Sequence, residues 1–136
     1  MNKHLLPLLI LCLWLVSCKS KPAGKQEVIP PPLDYIRAIP GDNDVIPQEL
    51  AQKGQVLISY SDCYTCHKAE SRAKGPAFED IAARYPVQEA YVDMLAHRII
   101  VGGSGAWGDP VMLPHPALNH EDAKAMVYYI LSLKQP

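Results

Sequence analysis

Cys63-Tyr64-Thr65-Cys66-His67 decides how the rest of this chain is read. Two thiols lie two residues apart, and an imidazole follows the second directly. That is the attachment pattern of a covalently bound haem: each thiol adds across a porphyrin vinyl group, and the adjacent histidine is brought beneath the iron as an axial ligand. The competing reading is a zinc or redox Cys-x-x-Cys pair beside an unrelated histidine. A structural zinc site needs four ligands, and the remaining cysteines, Cys12 and Cys18, do not form a second pair of this spacing. A thioredoxin-like pair would adjoin a strand–helix unit, and no such pattern flanks these residues. One covalent haem is the cofactor expected.

Cys12 and Cys18 belong to a different context. Residues 1–17 read as a secretory signal: Lys3 supplies a positive start, and an almost wholly apolar run from Leu5 to Val16 follows, interrupted by Pro7. The run is too short for a bilayer span, which takes about 20 residues. It closes on Leu15-Val16-Ser17-Cys18, with polar Lys19-Ser20-Lys21 directly after. This stretch resembles the bacterial lipobox, which implies cleavage before Cys18 and acylation of the Cys18 thiol. Cys12 is then only a small apolar residue of a discarded segment. The expected organisation is a lipoprotein signal peptide over 1–17, an acylated N-terminus and proline-rich tether over 18–46, and a haem domain over 47–136. Pro22, Pro30, Pro31, Pro32 and Pro40, with Gly24, Gly41 and Asn43, keep the tether from forming a helix. Val28-Ile29 and the stretch Leu33 to Ile36 are apolar enough for its second half to dock on a neighbouring surface.

The whole chain carries 13 Lys and Arg against 14 Asp and Glu, a net charge of −1. Loss of Lys3 with the signal would leave it slightly more acidic, so nothing points to nucleic acid as a partner. No second apolar stretch could cross a membrane. With Cys63 and Cys66 given to haem and Cys18 to lipid, no thiol remains for a disulfide. The expected location is the periplasmic or extracytoplasmic side of a bacterial membrane, held by the lipid.

Within 47–136 the patterns are helical. Pro47 suits a first helical position, and Leu50, Gly54, Leu57 and Ile58 define one face of a helix running to about Ser59. Gly54 costs such a helix about 1 kcal/mol against alanine, a cost that close approach of another helix would repay. A short helix is expected over Phe78 to Arg84, and a longer one over Gln88 to Ile100, with Tyr91, Met94, Leu95 and Ile99 on one face. Gly102-Gly103 ends it in the manner of a C-cap. Asn119 and Asp122 form a capping-box-like pair opening a last helix, whose stripe is Ala123, Met126, Val127, Ile130 and Leu133. No strand pattern or internal repeat emerges. The expected fold is all-α, with about four to five helices around the haem, which supplies much of the core of so small a domain.

The second axial ligand must come from elsewhere in the chain. Methionine sulfur is a soft neutral ligand that raises the reduction potential. Met1 falls in the signal, and Met94 and Met126 sit on apolar helix faces, where core packing accounts for them. Met112 lies in Gly108-Asp109-Pro110-Val111-Met112-Leu113-Pro114, a loop whose prolines limit the entropy lost on presenting a side chain. His97 and His115 are the alternatives. His97 falls within a helix and faces solvent, whereas His115 is a real competitor that would give a lower-potential bis-histidine site.

These motifs, taken in order, resemble the short bacterial class I c-type cytochromes, the soluble single-haem electron carriers. The resemblance spans residues 47–135 and rests on the haem pentapeptide, Gly75-Pro76-Ala77-Phe78, Gly102 to Gly108, Met112-Leu113-Pro114, and Tyr128 to Leu133 in the closing helix. It implies one haem c held by Cys63, Cys66 and His67, with Met112 as the second iron ligand. It also implies that the Pro76 carbonyl accepts the Nδ1 proton of His67, that Trp107 lies by a haem propionate, and that Gly54 packs on the last helix near Tyr128. The long proline-rich tether has no counterpart in that family. The expected function is single-electron transfer between respiratory or dehydrogenase partners by a lipid-anchored monohaem protein, a monomer or a complex subunit, and not an enzyme. Two alternatives stand: a fixed cytochrome subunit of a larger respiratory complex, and a haem sensor or enzyme with an open sixth site.

Overall fold

Four helices and one short hairpin follow in order in the computed structural model, which describes residues 35–134: α1 (Gln48–Ser59), a 3-10 turn (Cys63–Thr65), α2 (Phe78–Arg84), α3 (Glu89–Val101), β1 (Gly103–Gly105), β2 (Gly108–Met112) and α4 (His120–Ser132). The expected signal segment, Cys18 and the first part of the tether lie outside the described residues. Among those described, no helix is long and apolar enough to cross a membrane.

α4 is the central element and packs on α1, α2 and α3. Its start follows from the sequence: Asn119 Oδ1 accepts from the Asp122 N–H at 2.8 Å, filling one of the orphan donors of a helix N-terminus. Ala123, Met126, Val127 and Ile130 are buried along its inner stripe. α1 crosses it with backbones in contact. A Cβ at Gly54 would collide with the Ala125 carbonyl and lie 2.9 Å from Met126 Cα, so glycine is what lets the two helices close. The contact is with the backbone of Ala125 and Met126. Pro47 serves as N-cap rather than first helical residue, and Ser61 Oγ donates to the Leu57 carbonyl at 2.7 Å near the far end.

α3 divides its apolar residues between two faces. Val92, Ala96 and Ile99 enter the core, while Met94 is 40 % exposed and lines a cleft with Leu95. The expectation that Met94 is a core residue is therefore corrected. The helix carries apolar side chains on more than one stripe, and only one of them meets α4. Gly102 ends the helix at φ +69°, a backbone region that favours glycine.

The hairpin is the feature for which the sequence offers no strand signal. β1 and β2 pair antiparallel with Gly103 opposite Met112 and Gly105 opposite Gly108, with a register irregularity between. Glycines and Pro110 supply no alternation of apolar and polar residues, so the ladder is set by the chain's return from α3 and not by side-chain patterning.

Residues 35–46 lie against the helical domain. Ile39 N–H donates to the Arg84 carbonyl and Asp44 N–H to that of Val87, both at 2.7 Å. Val87 N–H in turn donates to Asn43 Oδ1 at 2.7 Å, and Gln88 Nε2 donates to the Asp42 carbonyl at 3.0 Å. Ile39 and Ile46 pack on the core.

Candidate functional site

The cysteine-bearing turn is built directly on the end of α1. Cys66 and His67 N–H groups both donate to the Cys63 carbonyl, at 3.1 and 2.9 Å, which winds the pentapeptide into a tight coil. The chain then folds back: Gly75 N–H donates to the Cys66 carbonyl at 2.9 Å, and Phe78 N–H at the start of α2 to that of Lys68 at 2.9 Å. This return brings the Pro76 carbonyl to His67 Nδ1 at 2.8 Å. A carbonyl can only accept, so Nδ1 donates, and Nε2 is the nitrogen left for a metal. Two further contacts fix the ring. Phe78 stacks on it with centroids 5.3 Å apart, and a Cβ at Gly75 would stand 2.7 Å from His67 Cε1. Only glycine leaves the imidazole that space.

Cys63 and Cys66 are partly buried free thiols. Burial, and then the charge of Asp62, push the Cys63 thiol up. A redox-active Cys-x-x-Cys pair works by the opposite device, a lowered thiol pKa.

Cys63, Cys66, His67 and Pro76 line one cleft together with Trp107 and Met112 from the hairpin. Its remaining wall is largely apolar, with Ile58, Phe78 and Met126 among the contributors. The charged residues on the lining are Arg72, Lys74 and Arg98 against the single carboxylate of Asp62. An apolar cleft with surplus cations, two thiols and one oriented imidazole fits a planar apolar ring that bears carboxylates. A metal ion held by side chains alone fits less well: among the described residues no group of three or more His, Cys, Asp or Glu is arranged so that it could hold one.

The candidate second ligands are separated by their hydrogen bonds. His115 lines the cleft, but its Nδ1 lies 3.2 Å from the Ile99 carbonyl and its Nε2 3.1 Å from Asp62 Oδ1. To ligate iron it would have to give up one of these. Met112 is partly buried, lines the cleft and sits at the end of β2, opposite Gly103. His97 is exposed and does not line the cleft. Trp107 is partly buried, and its backbone carbonyl accepts from Arg72 Nη2 at 2.7 Å.

Arg84 is the residue that sequence reasoning missed. Its guanidinium stands 4.8 Å from the Trp107 ring centroid and donates to the Ala106 carbonyl at 2.7 Å. A cation in the last turn of a helix ordinarily complements the helix dipole, and nothing local distinguishes this one.

A family model described as Cytochrome c matches residues 51–134. Cytochrome c-552 of Nitrosomonas europaea is 39 % identical over 84 residues, which is 62 % of this chain and 82 % of that protein. Cytochrome c-551 of Allochromatium vinosum is 39 % identical over 89 residues, covering 65 % of this chain and 93 % of that one. The crystal structure of wild-type Nitrosomonas europaea cytochrome c552 superposes with a TM-score of 0.50 at 38 % identity, over 65 % of this chain and all of that one. The all-α expectation holds with the small hairpin added to it. The chain belongs to the cytochrome c family, as a class I electron-transfer protein with one covalent haem c.

Proposed function

We propose that this electron carrier is a membrane-tethered lipoprotein, acylated at Cys18, in which His67 and Met112 are the two iron ligands and Cys63 and Cys66 the thioether residues. The observation that carries the ligand assignment is the cleft itself: His67 lines it with Nδ1 already bonded, and Met112 lines it, whereas the His115 ring is turned to the Ile99 carbonyl and the Asp62 carboxylate. When bound, the haem supplies a one-electron Fe(III)/Fe(II) couple, with a potential raised by a thioether ligand. The protein's part is to keep that couple in place. Pro76 fixes the His67 tautomer, Phe78 and Gly75 fix its plane, and the apolar wall excludes water. Arg72, Lys74 and Arg98 suit the haem carboxylates, with Trp107 beside one of them.

Redox partners would meet the edge of the cleft. Tyr64, between the two cysteines, is 47 % exposed, and Leu113, next to Met112, is 67 % exposed. Apolar contact with little charge suits brief encounters between carriers. Donor and acceptor would be a dehydrogenase, oxidase or respiratory complex on the extracytoplasmic side of the membrane.

Met112→Ala tests the ligand set. The expected outcome is a lower potential, loss of the near-infrared sulfur-to-iron band, and carbon monoxide binding by the reduced protein. If His115→Ala does this and Met112→Ala does not, the protein is a bis-histidine carrier instead.

A further inference from the structure

We propose that residues 35–44 form a strap that acts through Arg84 to hold the hairpin carrying Met112, which makes Arg84 a positioning residue for the methionine ligand. This rests on Met112 being that ligand. The family match covers residues 51–134, so the strap lies outside it.

The hairpin cannot hold itself. Two short strands with a register irregularity make a marginal unit, and glycines fill most of its first strand. Arginines secure its turn from outside. Arg84 Nη1 donates to the Ala106 carbonyl at 2.7 Å, and Arg72 Nη2 to that of Trp107 at 2.7 Å. The same Arg84 Nη1 donates to the Tyr35 carbonyl of the strap at 2.9 Å. That nitrogen carries two hydrogens, one for each acceptor. The guanidinium plane also lies over Trp107 at 4.8 Å and Tyr85 at 5.3 Å. One rigid group therefore joins strap, α2 and hairpin turn.

The strap is fastened at both ends of this joint. Beyond Tyr35, its Ile39 N–H donates to the carbonyl of Arg84 itself, so the backbone and the side chain of Arg84 both engage it. Asn43 and Asp42 then bind Val87 and Gln88. A strap that merely covered apolar surface would need only the packing of Ile39. The Tyr35–Arg84–Ala106 bridge adds a connection from the strap to the loop that presents the sulfur.

Imidazole competes with methionine for ferric iron, so its affinity for the full-length haem protein reports how firmly Met112 is held. The unaltered protein is first checked for its near-infrared methionine band. Its absence would overturn the Met112 assignment, and this inference with it. With the band present, Arg84→Gln is expected to tighten imidazole binding about tenfold, the equivalent of one net hydrogen bond lost from the methionine-bound state. Arg84→Lys, which keeps the charge without the fork, is expected to fall between. Asn43→Ala with Gln88→Ala loosens the strap while leaving Arg84 intact, and is expected to tighten imidazole binding roughly threefold, since these bonds act on the hairpin only through the strap. Asn119→Ala, which removes the distant cap of α4, should lower thermal stability without changing imidazole affinity. If Arg84→Gln leaves the affinity within about twofold, less than the share of one hydrogen bond, the clamp is refuted. If Arg84→Gln shifts it and the strap pair does not, Arg84 acts alone and the strap has no part in it.

Discussion

Gly54→Ala sets two effects of opposite sign against each other. Helix propensity alone favours the change by about 1 kcal/mol, since Gly54 lies in the middle of α1. Packing opposes it. The new methyl would overlap the Ala125 carbonyl and stand 2.9 Å from Met126 Cα, where ordinary contact begins at 3.4 Å. These are backbone atoms of α4, so no rotamer change can relieve the overlap, and the two helices must separate. Separation loosens Ile58 and Met126, both about 1 % exposed. Overpacking typically costs 1–3 kcal/mol, and a clash with rigid backbone belongs at or above the top of that range. A net loss of about 2 kcal/mol remains, which for a domain of this size lowers Tm on the order of 10 °C. Thermal unfolding of the haem protein, followed by far-ultraviolet circular dichroism, reads it directly. Gln55→Ala, one residue along and exposed, is the control and should change little. A Gly54→Ala protein more stable than the parent would refute the claim that α1 and α4 meet backbone to backbone.

Met126 is buried against both core and cleft, so Met126→Ala should cost about 2–5 kcal/mol in denaturant unfolding and leave the methionine–iron band in place. Cys18→Ser should move the protein from the membrane to the soluble fraction with an unchanged haem spectrum, because stable anchoring needs two or more acyl chains. Retention after a high-salt wash would point to a partner instead of a lipid. Asp93 is held below its ordinary value of 3.8, first by its bond to His120 and then by that to Lys124. A depressed carboxylate stabilises above its unfolded pKa and loses that contribution as pH falls through the folded one. Asp93→Asn should therefore weaken the protein at pH 6 and lose its effect below the carboxylate range, as measured by thermal unfolding at each pH.

Local chemistry made much of this legible in the sequence. The pentapeptide announces its cofactor because thioether attachment leaves no freedom in spacing. The Asn119 cap follows from short-range hydrogen bonding, and Gly54 signals a close crossing because nothing else excuses glycine there. What escaped depends on partners remote in sequence. Arg84 reaches Ala106 and Tyr35, and Asn43 reaches Val87, with no periodicity to record either. The hairpin escaped because glycines take two of the three positions of β1 and Pro110 interrupts β2, which leaves no alternating side-chain pattern. Met94 was misplaced because a helix that faces both a core and a cofactor has apolar residues on two stripes, and hydrophobicity does not distinguish them.

Ile58, Phe78, Ile81, Met126, Val127 and Ile130 belong at once to the buried core and to the wall of the cleft. Folding and the seating of the cofactor are therefore coupled. For a cofactor that dissociates, such linkage makes stability depend on its free concentration, rising as RT ln(1 + [L]/Kd). A thioether-linked haem has no free concentration. It acts at an effective concentration set by its attachment, identical for every molecule and unaffected by dilution. The fraction folded then depends on neither how much haem the surroundings supply nor how sparse the carrier becomes.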